Sequence, residues 1–179
     1  MKTNSNKVYI VDNVLPDSLH EMCYELIMGE SFWTLSQTSV PEAQAPGVTR
    51  LIGTTVYDED RGLDMGNRAH ILSAVIYQMI KVKVPTLSNK ITRILIGAKT
   101  AFNIDVPHTD HRDADRTSVL FYLNRTWNKE WGGGVTIDGR EYEYKPNRAL
   151  IFKSNLLHAG TGGTGPGFRT YINYVVKDE

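Results

Sequence analysis

The chain has 179 residues, and 20 Lys and Arg residues balance 20 Asp and Glu residues. Hydrophobic residues at 41% and charged residues at 22% exclude a disordered chain, and zero net charge excludes a whole-surface polyanion field, a local patch aside. The lone cysteine, Cys23, excludes an intramolecular disulfide. The opening MKTNSNKVYIVDN has no signal-like apolar run, and the sequence has no uninterrupted apolar stretch long enough to span a membrane. A single cytoplasmic domain over 1–179 is the expectation.

Lys7–Asp12 reads as a strand. From Pro16 to Glu30, Leu19, Met22, Cys23, Leu26 and Ile27 recur at helical spacing. Pro16 suits the helix start, and Asp17 and Glu21 favour its positive end. Ser36–Arg50 is polar and aperiodic and reads as a long loop, either a substrate lid or a plain connection. Leu51–Tyr57 reads as a strand, and Asp58–Gly66 as a second candidate substrate loop. A second helix is expected over Gly66–Val82, with Ala69, Leu72, Val75, Ile76, Met79 and Ile80 on one face.

Beyond Pro85 the pattern turns to β. Runs rich in β-branched and aromatic residues occur at Lys90–Ala98, Thr117–Leu123, Val135–Asp138, Glu141–Tyr144, Arg148–Lys153 and Phe168–Val176. Asp138-Gly139 is a hairpin signal between two of them. Many short strands favour a sandwich or barrel, so the class is mainly β with flanking helices, α+β.

The most informative cluster is Pro107-His108-Thr109-Asp110-His111. On an extended chain His108 and Asp110 project to the same side, offering an imidazole and a carboxylate to one ion. His158 follows a later strand, which an antiparallel fold can bring beside them. Two histidines and one carboxylate leave three positions of an octahedron open, as in non-haem Fe(II) oxygenases. The bland reading of the same residues is a polar turn inside the charged run Asp105, Asp110, Arg112, Asp113, Asp115 and Arg116. A zinc pair of His108 and His111 fits a helix turn better than a strand. His20 and His70 fall on the predicted helices and read as surface or packing residues.

Arg169 opens the last strand, and an arginine pointing inward there is costly unless it meets an anion. Taken alone, the bland reading is an arginine reaching solvent at a strand end or paired with an Asp or Glu. Gly160–Gly165 matches G-x-G-x-x-G, but Pro166, Gly167 and a strand follow where a dinucleotide site needs a helix. A flexible hairpin between His158 and the strand of Arg169 accounts for those glycines better. Trp127 and Trp131 read as packing residues.

Taken together, His108-x-Asp110, His158 and Arg169 resemble the signature of the Fe(II)- and 2-oxoglutarate-dependent dioxygenases, in particular the prolyl-hydroxylase-like branch. Arg116–Asn124, Trp131-Gly132-Gly133-Gly134-Val135 and Lys145–Phe152 resemble the surrounding strands of that branch, in the right order. The resemblance implies a double-stranded β-helix (jelly-roll) core over 89–179, with the 1–88 strand and helices packed outside as support. It implies that His108, Asp110 and His158 hold Fe(II), and that Arg169 binds the far carboxylate of 2-oxoglutarate. Tyr122 matches a tyrosine reaching the same carboxylate, and Asn173, which shares the strand face of Arg169 and Tyr171, is expected to line the same cosubstrate pocket. One departure is that Ala98 and Lys99 stand where the branch often has a tyrosine.

The implied reaction hydroxylates a C–H bond with release of succinate and CO2, using O2 as oxidant and ascorbate as an accessory. With Asp110 present, a halide-binding variant is disfavoured. A peptidyl prolyl residue is the first substrate expectation and a small molecule the second, whereas balanced charge argues against nucleic acid. The alternative is a non-catalytic jelly-roll module that binds a metal or ligand without turnover.

Overall fold

The computed structural model of the chain describes residues 7–30, 33, 35–37, 51–101, 103 and 106–179. Its elements are β1 (Tyr9–Val11), α1 (Asp17–Met28), β2 (Leu35–Gln37), β3 (Leu51–Asp58), β4 (Leu63–Asp64) and α2 (Arg68–Lys83), followed by β5 (Ile91–Lys99) and β6 (Arg116–Tyr122). A single 3-10 turn (Lys129–Trp131) then precedes β7 (Val135–Ile137), β8 (Arg140–Tyr142), β9 (Ala149–Lys153), β10 (His158–Gly160) and β11 (Arg169–Lys177). The main sheet runs β1-β9-β6-β11-β5-β3-β2 with β4 beside β3, and a small sheet runs β10-β7-β8. Its ladders are antiparallel, and the arrangement is that of a double-stranded β-helix. The amino-terminal strands extend both edges of the main sheet.

Strands buried on two faces read as nearly continuous apolar runs. One face of the main sheet offers Ile94, Val119, Phe121, Ile172 and Tyr174 to Cys23 and Ile27 of α1 and to Ile76 and Ile80 of α2. The other face offers Leu120, Tyr122, Leu150, Phe152 and Tyr171 to Val135, Ile137 and Tyr142 of the small sheet. Period-two alternation therefore divides each long strand between a helix-covered core and a second core between the sheets. The functional side chains lie on the second face.

The expected hairpin at Asp138-Gly139 forms: both residues have positive φ, 47° and 76°, and Ile137 pairs with Arg140 across a two-residue turn. The α2 face differs in detail. Val75 is exposed, whereas Ser73 and Tyr77 are buried. Ser73 is satisfied in its burial because its hydroxyl donates to the Ala69 carbonyl at 2.7 Å, and its own carbonyl accepts from the Tyr174 hydroxyl at 2.8 Å where β11 meets the helix. Asp58–Gly66 is a tight turn with the short strand β4, not an open loop. The loop expected over Ser36–Arg50 lies outside the described residues except for Ser36 and Gln37 in β2. Asp105 lies outside them too.

The glycine-rich segment after Gly160 is not a hairpin. It leaves β10 in the small sheet and enters β11 in the main sheet, so it crosses between layers, and no helix follows it. The short strand β10 escaped the sequence because His-Ala-Gly has neither β-branched residues nor alternation.

Candidate active site

His108 and His158 are drawn together by backbone pairing. They form an isolated antiparallel bridge, each amide N–H donating to the other's carbonyl at 2.9 Å. Their rings lie 4.5 Å apart, centre to centre, and Phe152 packs edge-on against His158 at 5.1 Å. Each imidazole also meets the carbonyl two residues before it: His108 Nδ1 lies 2.9 Å from Val106 O, and His158 Nδ1 lies 2.9 Å from Leu156 O. With Nδ1–H donating in both rings, Nε2 carries the lone pair in each, the tautomer a metal-binding histidine requires.

Asp110 completes the group. One donor atom from each of His108, Asp110 and His158 lies within 4.8 Å of the others, and this is the one such cluster among the described residues. The Asp110 side chain is only 4% exposed. Its Oδ1 accepts from Arg93 Nη2 and Asn173 Nδ2, each at 2.8 Å. Its Oδ2 accepts from the Ser118 hydroxyl at 2.6 Å and faces His158 Nε2 at 3.6 Å. Burial pushes the Asp110 carboxyl upward, but the Arg93 charge above all, with the Ser118 hydroxyl and the adjacent imidazoles, outweighs it. The result is a carboxyl held below its ordinary range, and therefore a carboxylate at neutral pH.

Deeper along the same sheet face lies Arg169, 2% exposed and the largest fully buried side chain. Its guanidinium carbon sits 5.1–5.3 Å from the ring centres of Tyr122, Tyr144 and Tyr171. Nε donates to the Gly133 carbonyl. Gly133 has φ 81°, and a Cβ there would press on Trp127 and on the arginine at 3.2 and 3.3 Å, so glycine is what lets the backbone come this close. Arg169 Nη2 and the Tyr122 hydroxyl are both buried without a hydrogen-bond partner. Burial raises the Tyr122 phenol while the nearby Arg169 charge opposes that shift, so the hydroxyl remains a proton donor at neutral pH. No carboxylate pairs with Arg169 among the described residues. A buried guanidinium and a phenol with vacant donors match one anionic oxygen pair.

The other sequence candidates separate cleanly. His111 stands outside the cluster, its Nδ1 accepting from Asp113 N at 3.1 Å. His20 packs edge-on against Phe121, and His70 meets Asp64 at 2.8 Å. Trp127 packs perpendicular to Trp131 and against Tyr144. Lys99, where the resemblance leads one to expect a tyrosine nearby, is buried at 2% exposure directly across from Arg169, with Nζ donating to Gly160 O at 3.3 Å. Sequence reasoning missed Arg93 and Ser118, which bear on Asp110, and Tyr144, which walls in Arg169. Strand alternation was the available signal: Arg93 stands two places before Leu95, on the same face of β5.

Residues 98–176 match the sequence model of the 2OG-Fe(II) oxygenase superfamily. This part of the chain is a 2OG-Fe(II) oxygenase domain. The enzyme is thus an oxygenase that uses Fe(II) and 2-oxoglutarate, and the binding-module alternative falls away. No curated protein matches it in sequence. In fold the oxygenase is similar to a prolyl hydroxylase from Trichoplax adhaerens in complex with a hypoxia inducible factor oxygen degradation domain peptide fragment. That similarity has TM-score 0.67 and 16% identity, covering 98% of this chain and 85% of the other. It is also similar to a Pseudomonas putida prolyl-4-hydroxylase, with TM-score 0.63, 14% identity and coverage of 98% and 94%. HygX from Streptomyces hygroscopicus, solved with nickel, 2-oxoglutarate and hygromycin B bound, gives TM-score 0.67, 10% identity and coverage of 98% and 84%. No helix among the described residues is long and apolar enough to cross a membrane.

Proposed function

We propose that His108, Asp110 and His158 hold the Fe(II) of this oxygenase and that Arg169 and Tyr122 receive the far carboxylate of 2-oxoglutarate, within a catalytic core formed by 89–179. The observation that carries this reading is the pairing of two features on one sheet face. A clustered His-Asp-His donor set shares that face with a buried guanidinium that has no counter-ion among the described residues. Iron with 2-oxoglutarate and O2 supplies the oxidation of an unactivated C–H bond. The chain's own residues bind and orient. The Val106 and Leu156 carbonyls fix the tautomers of His108 and His158, Arg93 and Ser118 keep Asp110 ionised, and the ring walls of Tyr122, Tyr144 and Tyr171 exclude water around Arg169.

For substrate we infer a peptidyl prolyl residue, supported by the fold shared with two prolyl hydroxylases. The likeness to HygX supports a small molecule as the second reading. The test is succinate release in air with Fe(II), 2-oxoglutarate and ascorbate, against proline-containing peptides and a panel of small metabolites. Stimulation by peptides alone is the expected result, and stimulation by small molecules alone overturns it. Asp110→Ala is expected to abolish both iron binding and succinate production. Unchanged succinate production in that variant removes the ligand assignment.

A further inference from the structure

Asp110 is held by three donors that do not treat its two oxygens alike. Oδ1 accepts two N–H groups, from Arg93 Nη2 and Asn173 Nδ2, both at 2.8 Å. Oδ2 accepts, among the described residues, the Ser118 hydroxyl at 2.6 Å and is the oxygen that faces His158 Nε2 at 3.6 Å. A carboxylate oxygen offers about two lone-pair directions. Oδ1 is therefore filled, while Oδ2, the oxygen beside His158 Nε2, keeps one direction. Arg93 sits on β5 and Asn173 on β11, so neighbouring strands supply both donors to the same oxygen. The Arg93 side chain is 29% exposed and Asp110 only 4%. The arginine thus reaches inward from the rim to a buried charge, a charge-assisted contact stronger than an ordinary surface pair.

We propose that Arg93 is a positioning residue which, with Asn173, ties up Oδ1 so that Asp110 meets the metal through Oδ2 alone. The inference rests on the proposed ligand set and adds what that set needs to work. Three single-point protein donors would leave three open octahedral positions, and 2-oxoglutarate chelating through its keto oxygen and near carboxylate would fill two of them. A carboxylate that chelated through both oxygens would take the last. Nothing in Asp110 itself prevents chelation, and a filled Oδ1 does.

The test counts metal-bound water by proton relaxation in the full-length protein loaded with Mn(II) and saturated with 2-oxoglutarate. Wild type is expected to keep one exchangeable water. Arg93→Met is expected to lose it, with relaxation enhancement falling to the outer-sphere level, while Arg93→Lys, which retains a donor, keeps it. In iron-dependent turnover Arg93→Met is expected to lower kcat by about tenfold or more with the KM for 2-oxoglutarate little changed, the split expected when substrate still binds but a reacting position is closed. Retention of the water in Arg93→Met overturns the proposal, and so does failure of that folded variant to bind Mn(II), because orientation and not denticity would then be its role. Should Arg93→Met not fold, by circular dichroism, Arg93→Gln and Asn173→Ala decide in the same measurement: loss of the water in either supports the proposal, and retention in both overturns it. Asp110→Ala separates the two levels of the argument. If it binds Mn(II) like wild type, the ligand set is wrong. If it loses Mn(II) while Arg93→Met keeps its water, only the role of Arg93 is.

Discussion

Arg169 is the residue whose burial is hardest to explain without a ligand. It has aromatic rings on three sides, one backbone acceptor, and a terminal nitrogen with no carboxylate partner among the described residues. A purely structural arginine in such a place would be paired, because an uncompensated buried charge destabilises the fold. Arg169→Met is therefore expected to leave the stability of the unliganded protein within about 1 kcal/mol of wild type while raising the KM for 2-oxoglutarate by about ten- to a hundredfold. Urea unfolding with and without 2-oxoglutarate checks both halves. The ligand-induced rise in midpoint should vanish in the variant, and a large loss of unliganded stability would mark the arginine as structural. Arg169 was readable in the sequence because it opens a strand at a fixed order after His158. For Arg93 strand alternation gave only the face, since nothing local to an arginine in a strand names the carboxylate it meets 17 positions later.

At the scale of elements, site geometry depends on how strand ends are clipped together. The turn into β9 is held to the end of β1 by Asp12, which accepts from Arg148 Nε at 2.6 Å, Arg148 Nη2 at 3.1 Å and Lys145 Nζ at 3.0 Å. The Arg148 hydrogen bond, opposed by partial burial and aided by Lys145, lowers the Asp12 carboxyl from 3.8 to about 2. A depressed carboxyl stabilises the fold fully above its unfolded pKa and loses that contribution as pH falls through its folded one. Asp12→Asn is thus expected to reduce stability at neutral pH, by about 1 kcal/mol given its solvent screening. The difference from wild type should fade between pH 3.8 and about 2, which urea midpoints across that range measure. The elements themselves were legible where periodicity was long, as in α1, α2, β5, β6 and β11. They were illegible where three residues suffice, as in β10, because tertiary pairing and not local preference makes that strand.

Across the whole molecule, one sheet separates two cores. The helices cover one face through Ile76, Ile80 and Ile27, and the functional groups occupy the other, so stability and chemistry are divided by strand alternation. Ile76→Ala, in a fully buried position, is expected to lower unfolding free energy by about 2–4 kcal/mol. The folded protein should still form the visible absorption band of the anaerobic Fe(II)–2-oxoglutarate complex at wild-type intensity. Loss of that band from folded Ile76→Ala protein would show that the helix core sets the site directly.

The chain's linear order determined which residue types stand at strand spacing: the His-x-Asp pair, the distal histidine, the late arginine, and apolar runs that commit the second half to β structure. These follow from side-chain identity and from a period of two, which are local properties. What only the tertiary structure decided is convergence. The bridge that brings His158 to His108, the donors that divide the two oxygens of Asp110, and the three rings around Arg169 each join segments distant along the chain. Such contacts are selected by packing of the two sheets, for which no short stretch of sequence carries the information.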